Sequence, residues 1–425
     1  MISLSTIPDE IIEQIADSLR DMIVDGHEYA ACYLWDNCTD FSRTRFDLSS
    51  FSKVCTWVRW PVERVLYRDI HVHFDGWNGI DISAHPHWRA GSLHLLLRTL
   101  EGRMDLRGCV KSVQMDWHEE VYELEKEDLV LVKNALRQFF SRCPSVQRLN
   151  IMTFPSHIFS KAAALSQITT VATRGPSLGM FHTIVKTFPV LQDLYLITNH
   201  MGTPTPVVHH QLKKLRIESQ IDVACVFWAL EVCAHITEEL HMICSGYVFG
   251  SRPVRPTLSP KGLSPSAGTN LRSLHLVGNE LNFLAHPNST LAQAIRQLPS
   301  LQHLHVSRCL SFHAAAFSVL PASLRCLFLS EYGEWDDDER SRHIFVVALS
   351  HCLAQARRVV EMVAIHGVTR MALERQVLGD LSPLESVCND RNIPFHLNIG
   401  SNNHRLDAKI RILCKSLLGR TQPYH

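Results

Sequence analysis

Three groupings of residues have types and spacing that could do chemistry. Gly175-Pro176-Ser177-Leu178-Gly179 has the Gly-x-Ser-x-Gly spacing of a nucleophile elbow, between a segment that reads as strand and one that reads as helix. In that chemistry the serine oxygen attacks a carbonyl, and it needs an oxyanion loop, a downstream acid and a histidine. The chain has no His-Gly-Gly loop, and the flanking segments fit a repeat pattern, so Ser177 reads as part of a repeat turn. His71-Val72-His73-Phe74-Asp75 sets three metal-ligand types on one face of a strand. No second ligand cluster accompanies them, and an edge strand with its polar face in water is the preferred reading. His303 and His305 alternate with Leu304 and Val306, which places them on the outer or concave side of a repeat strand or in hydrogen bonds to neighbours. No cysteine has a recognisable Cys/His context, and there is no Gly-x-x-x-x-Gly-Lys loop for a nucleotide. The expectation is a chain with no catalytic residue, no bound metal and no cofactor.

Composition narrows the classes further. The chain has 425 residues, 46% hydrophobic and 20% charged, with 42 basic and 42 acidic side chains. That balance leaves no electrostatic footprint for nucleic acid or a membrane surface. No apolar run is long enough to span a bilayer, and the N-terminus lacks the basic and apolar segments of a secretory signal. A cytoplasmic or nuclear location is therefore expected, with the thirteen cysteines reduced. The sequons at Asn37 and Asn288 carry no weight in such a compartment.

Thr6-Ile7-Pro8-Asp9-Glu10 reads as a helix start. Thr6 is a capping residue with Asp9 three positions on, Pro8 is tolerated in the first turn, and the acids suit the positive end of the helix. Ile7, Ile11, Ile15 and Leu19 recur every four residues, with Ile12 beside them. A second apolar face follows in Leu48, Phe51, Val54, Cys55 and Val58, then Trp60-Pro61-Val62 and Leu66-Tyr67. So small a helical unit carries more apolar surface than it can bury alone. Ile7-Pro8-Asp9-Glu10-Ile11-Ile12, Leu48 to Val54, and Val62 to Ile70 in that order resemble an F-box of the kind common in fungal proteins. The segment of about 21–47 is longer than the usual link and reads as an insertion, within an F-box-like helical domain of 1–75.

Beyond it, a pattern of apolar, two residues, apolar, one residue, apolar returns. Copies begin at Val110, Val146, Ile168, Leu191, Leu212, Leu271, Leu301 and Leu324. Looser copies lie at Leu240-His241-Met242, near Val360 to Ile365, and at Phe395 to Ile399. Each copy reads as a short strand after a turn, which Pro marks at Pro144, Pro189 and Pro299. Helical segments are expected at 129–140, 180–188, 221–234, 291–298 and 342–356. Strand and helix alternating at short intervals predict parallel strands, in units that must stack because one alone cannot bury its apolar face. Copies start from 21 residues apart (Leu191 to Leu212) to 36 apart (Val110 to Val146). The pattern resembles a degenerate leucine-rich-repeat array. The expected fold is α/β: an N-terminal all-α F-box followed by an irregular leucine-rich-repeat-like solenoid with parallel strands over 76–425. Residues 250–270, rich in Pro, Ser and Gly, form its expected mobile insertion.

These resemblances imply the substrate-recognition subunit of an SCF-type cullin ubiquitin ligase. Its helices dock on a Skp-type adaptor, and through it on cullin, while its solenoid holds a client protein. A non-ligase interaction scaffold is the alternative. Nucleic acid and membrane are not expected partners. The adaptor-binding candidates are Ile7, Pro8, Ile11, Ile12, Ile15, Leu48, Phe51, Val54, Val58 and Leu66. About half of them are expected to pack within the helical domain itself.

Overall fold

The computed structural model describes residues 7–24, 49–74, 91–117, 126–153, 165–174, 181–198, 211–219, 229–230, 236–244, 269–278, 290–307, 320–330, 347, 349–351, 353–354, 362–368 and 382–399. The chain is α/β, its strands parallel and hydrogen-bonded in the order of the sequence within each of two compact units. One unit holds the residues up to Arg174 with Thr183–Leu191; the other holds Gln192–Asn402 with Gly175–His182.

In the first unit, helix α1 (Asp9–Val24) packs against α2 (Thr56–Leu66). Ile12, Ala16, Val58, Val62 and Val65 close a core between them, with Ile7, Phe51, Cys55 and Leu66 partly buried around it. The helix start differs from the sequence expectation. Pro8 stands just outside α1, and its carbonyl accepts the N–H groups of Ile11 and Ile12 at 3.0 and 3.3 Å. A residue without an N–H loses nothing in that place, where its donor has no helical partner. Thr6 lies outside the described residues. Of the segment expected as an insertion, 21–24 continue α1, and 25–47 lie outside the described residues.

Strand β1 (Asp69–Phe74) follows α2 almost directly and pairs with β2 (Ser112–Trp117). Helix α3 (Gly91–Gly102), which packs on β1, and the short α4 (Met104–Arg107) lie between those strands. Helix α5 (Lys126–Arg142), β3 (Arg148–Thr153) and β4 (Thr170–Arg174) complete the unit's regular structure. Register puts Ile70, Val113, Leu149 and Val171 in one buried row, and Val72, Met115, Ile151 and Thr173 in the next.

After α6 (Phe181–Thr187), the second unit carries β5 (Asp193–Thr198), β6 (Lys214–Ser219), β7 (Glu239–Cys244) and β8 (Ser273–Val277). Helix α7 (Thr290–Arg296) leads to β9 (His303–Ser307), β10 (Cys326–Ser330) and β11 (Met362–Val368), and α8 (Ser382–Asp390) leads to β12 (Phe395–Ile399). Leu194, Leu215, Leu240, Leu274, Leu304 and Leu327 share one register position, and all are buried. Their alignment is the apolar repeat of the sequence in three dimensions.

The repeat's first apolar residue is not in the strand. Val110, Val146, Leu212, Leu271, Leu301 and Leu324 each precede a strand by two residues and are buried in the turn before it. The next two residues then donate both their amides to one carbonyl of the preceding repeat. Lys111 and Ser112 reach Arg68 O at 2.8 and 3.0 Å, and Gln147 and Arg148 reach Lys111 O at 2.8 and 3.0 Å. The same pairing runs from Glu238 and Glu239 to Lys213, from Arg272 and Ser273 to Glu238, and from Gln302 and His303 to Arg272. This shared acceptor starts each of these strands at a fixed place on the one before it. Gly278 closes β8 at φ 129°, in a region that favours a residue without a Cβ.

Candidate functional site

The candidate docking surface lies on the helical pair. Helical geometry sets neighbouring faces of α1 to opposite uses: Ile12 and Ala16 turn into the core, and Ile11 and Ile15 turn out. Ile11 is 42% exposed, Ile15 43%, Val54 60% and Trp57 63%. Val54 and Trp57 lie in and just after the turn that leads into α2, three residues apart. Three of these four large apolar groups lie on the packed helices and one in the turn between them, while Leu95, Met104 and Val130 are exposed to a similar degree elsewhere in the first unit.

Among the ten sequence candidates, Ile12 and Val58 are core residues, which leaves them nothing to offer a partner. Ile7, Phe51 and Leu66 are partly buried against that core. Pro8, Ile11, Ile15 and Val54 are exposed, and Leu48 lies outside the described residues. Trp57 was missed by the sequence reading. The signal was present: a large aromatic residue one turn ahead of Trp60-Pro61, on a helix whose period puts 58, 62 and 65 inside.

An ionic network fixes how this pair is held. Glu63 of α2 accepts from Arg59 Nε at 2.8 Å and from Arg103 Nη2 at 2.9 Å. Arg103, between α3 and α4, also grips Asp105 through Nε at 3.0 and 3.1 Å and Nη2 at 2.8 Å. Its guanidinium lies 5.9 Å from the Trp60 ring centroid, with Arg64 at 5.8 Å. Burial pushes the Glu63 carboxyl up, but the hydrogen bonds and charges of Arg59 and Arg103 outweigh it and hold the group below its ordinary value. Asp105 is also held low, chiefly by its hydrogen bonds from Arg103. Arg64 to Glu13 at 2.7 Å and Arg68 to Asp17 at 2.6 Å tie α1 to α2 and to the start of β1. The carbonyl of Arg68 also receives the first β2 amides, so the helical pair continues into the strands without a free linker.

The second arrangement is a row on the strands β5–β10, on the face opposite the leucine row. Register aligns Tyr195, Arg216, His241, His275, His305 and Phe328. The Arg216 guanidinium sits 4.6 Å from the Tyr195 ring centroid, and the Tyr195 hydroxyl donates to Glu218 at 2.6 Å. His241 meets His275 edge-on at 5.2 Å; His275 stacks on His305 at 3.8 Å with an interplanar angle of 7°. His305 lies 5.8 Å from Phe328. His275 and His303 are buried. The sequence had placed His303 and His305 on this face, and the stacking partner of His305 is the finding that a single strand's pattern does not contain.

The remaining chemical candidates are soon placed. The motif around Ser177 lies between β4 and α6, outside the described residues. His71 and His73 are in β1, at the end of the strand order, and Asp75 lies outside the described residues. Among the described residues no group of three His, Cys, Asp or Glu side chains is placed to hold a metal ion. Burial pushes the Cys143 thiol up to about 12 and also raises Cys109 and Cys388, the opposite of what a cysteine nucleophile needs. Among the described residues no helix is long and apolar enough to cross a membrane.

Comparison with known proteins adds little to this geometry. No protein-family model and no curated protein matches the chain. A crystal structure of a Bacteroides fragilis protein from a structural genomics programme aligns with 71% of this chain and 69% of its own, at 10% identity and a TM-score of 0.28. A likeness that low carries no argument about fold or function.

Proposed function

We propose that this chain is the substrate-recognition subunit of an SCF-type cullin ubiquitin ligase, cytoplasmic, nuclear or both. The α1–α2 pair acts as an F-box that docks a Skp-type adaptor, and the leucine-rich-repeat-like strands and helices after it hold a client. The observation that carries the reading is the exposed set Ile11, Ile15, Val54 and Trp57 on α1, α2 and the turn before α2, whose opposite side is already a closed core. The chain itself performs no bond-making step. Its contribution is proximity: a client held beside an activated thioester presents its lysines at a high effective concentration. The network through Glu63 and Arg103 supports this reading, because a receptor must hold its docking helices at a set angle to the element that follows them.

Burying an apolar side chain at an interface is worth about 1.5–3 kcal/mol, so two such losses weaken binding by about 100-fold or more. The test is co-purification of a Skp-type adaptor with the full chain and with an Ile11→Asp/Trp57→Asp variant. Both positions face water, so the variant keeps the wild-type circular dichroism and urea midpoint. Adaptor bound to the wild type and lost from the variant is the expected result. A folded variant that retains the adaptor removes the proposed surface. A wild type that never binds one leaves the alternative, a scaffold outside any ligase.

A further inference from the structure

We propose that Thr56 is a phosphate-acceptor site for a serine/threonine kinase that selects basic side chains near its target, and that a phosphate placed there closes the apolar docking surface to its partner. The second half of the proposal rests on the docking reading; the first half does not.

Elsewhere on the helices of the first unit, hydroxyls turn back on the backbone. Ser18, Thr99 and Ser141 donate to the carbonyls of Gln14, Leu95 and Gln138 at 2.8, 2.9 and 2.9 Å. Ser52, ahead of α2, donates to Ser49 O at 2.7 Å. That bond needs a turn of backbone behind the hydroxyl. Thr56 is the first residue of α2, and Cys55 before it is extended at φ −162° and ψ 165°. Thr56 is exposed, and among the described residues its hydroxyl has no hydrogen-bond partner.

The local charge suits such a kinase. From Leu48 to Val62 the sequence holds Lys53 and Arg59 and no acidic residue. Both cations are exposed, three residues before Thr56 and three after it. Arg59 is paired with Glu63 at 2.8 Å, so Lys53 is the charge the kinase reads. Complementary charge of this kind steers encounter and selects the partner. In the transfer, the Thr56 oxygen attacks the γ-phosphorus of ATP. The bond from that phosphorus to the β,γ-bridging oxygen breaks, ADP leaves with its electrons, and the hydroxyl proton passes to a base of the kinase.

The product carries about −1.5 to −2 charges at pH 7. Thr56 stands beside Trp57 and two residues from Val54, which are 63% and 60% exposed. A partner that buries those side chains must also dehydrate the phosphate, and that cost outweighs what the apolar contacts supply. The helices themselves survive, because negative charge at the start of a helix is favourable and the first turn of α2 holds no acid.

The experiment treats the full chain with ATP and the catalytic subunit of a basophilic serine/threonine kinase. Peptide mass spectrometry maps the phosphate, and capture of a Skp-type adaptor is measured before and after, with Thr56→Val and Lys53→Ala in parallel. The expected result is phosphate on Thr56, less of it in Lys53→Ala, and adaptor affinity at least about 100-fold lower after treatment. The treated wild type keeps its circular dichroism, and treated Thr56→Val keeps its adaptor. A chain that takes no phosphate on Thr56 overturns the proposal. A phosphorylated chain that still holds the adaptor also overturns it, and leaves the docking reading standing. If the untreated chain captures no adaptor, the docking reading fails, and the mapped phosphate alone upholds or overturns Thr56 as an acceptor.

Discussion

At the scale of single residues, adjacent isoleucines with the same chemistry have opposite fates. Ile12 is 3% exposed in the α1–α2 core, and Ile11 beside it is 42% exposed. Ile12→Ala should therefore cost about 2–4 kcal/mol in urea unfolding, as other buried large-to-small changes do, while Ile11→Ala stays within about 0.5 kcal/mol. The sequence could not make this distinction. Its four-residue stripe of Ile7, Ile11, Ile15 and Leu19 is more regular than the pair that is buried, Ile12 and Ala16. Ala16 is small enough to let α2 approach closely, but an alanine carries almost no hydropathy signal. Trp57 differs, because the period of α2 that puts 58, 62 and 65 inside already leaves it outside. The His275–His305 stack was equally hidden, because partners in adjacent strands lie 30 residues apart in the chain, and only register brings them together.

At the scale of elements, the strands were the most legible feature. Ten of the positions marked by the apolar repeat carry β2 to β11, and Phe395 to Ile399 is β12. The offset of two residues at each start was not legible, because a buried turn residue and a buried strand residue select the same side chains. Helices α5, α6 and α7 fall where the sequence placed them, while 221–234 and 342–356 lie mostly outside the described residues. Helix α8 was not foreseen, and its ending is well defined. Asn392 adopts φ 53°, its N–H reaches Asn389 O at 3.1 Å, and the Ile393 N–H reaches Cys388 O at 2.8 Å. This is a Schellman ending, with Ile393 and Cys388 both buried across it. Asparagine tolerates the left-handed backbone, and a β-branched residue does not. Asn392→Val should cost about 1–2 kcal/mol and Asn392→Gly almost nothing, a difference readable from urea midpoints of the two variants.

At the scale of the whole molecule, each compact unit adds its strands in chain order, and eight of them, β2 to β4 and β6 to β10, begin on two amides bound to one carbonyl of the preceding repeat. The α1–α2 pair enters that scheme through Arg68, whose carbonyl receives the amides of Lys111 and Ser112. A helical pair joined this way is tied to the first strands through the backbone that follows it.

The shared carbonyl acceptors have a consequence for how such a chain tolerates change. Because a strand's starting point is set by two amides on its predecessor, the length of the detour between them carries no positional information. Spacer residues can accumulate in a crossover while every side chain downstream keeps its neighbour, as the spread from 21 to 36 residues between repeat starts already records. Ten glycine and serine residues placed between Val277 and Thr290 should leave the stacking of His275 on His305 intact, readable as unchanged imidazole NMR shifts. Loss of folding cost should stay within about 1 kcal/mol, the small logarithmic toll of a longer loop.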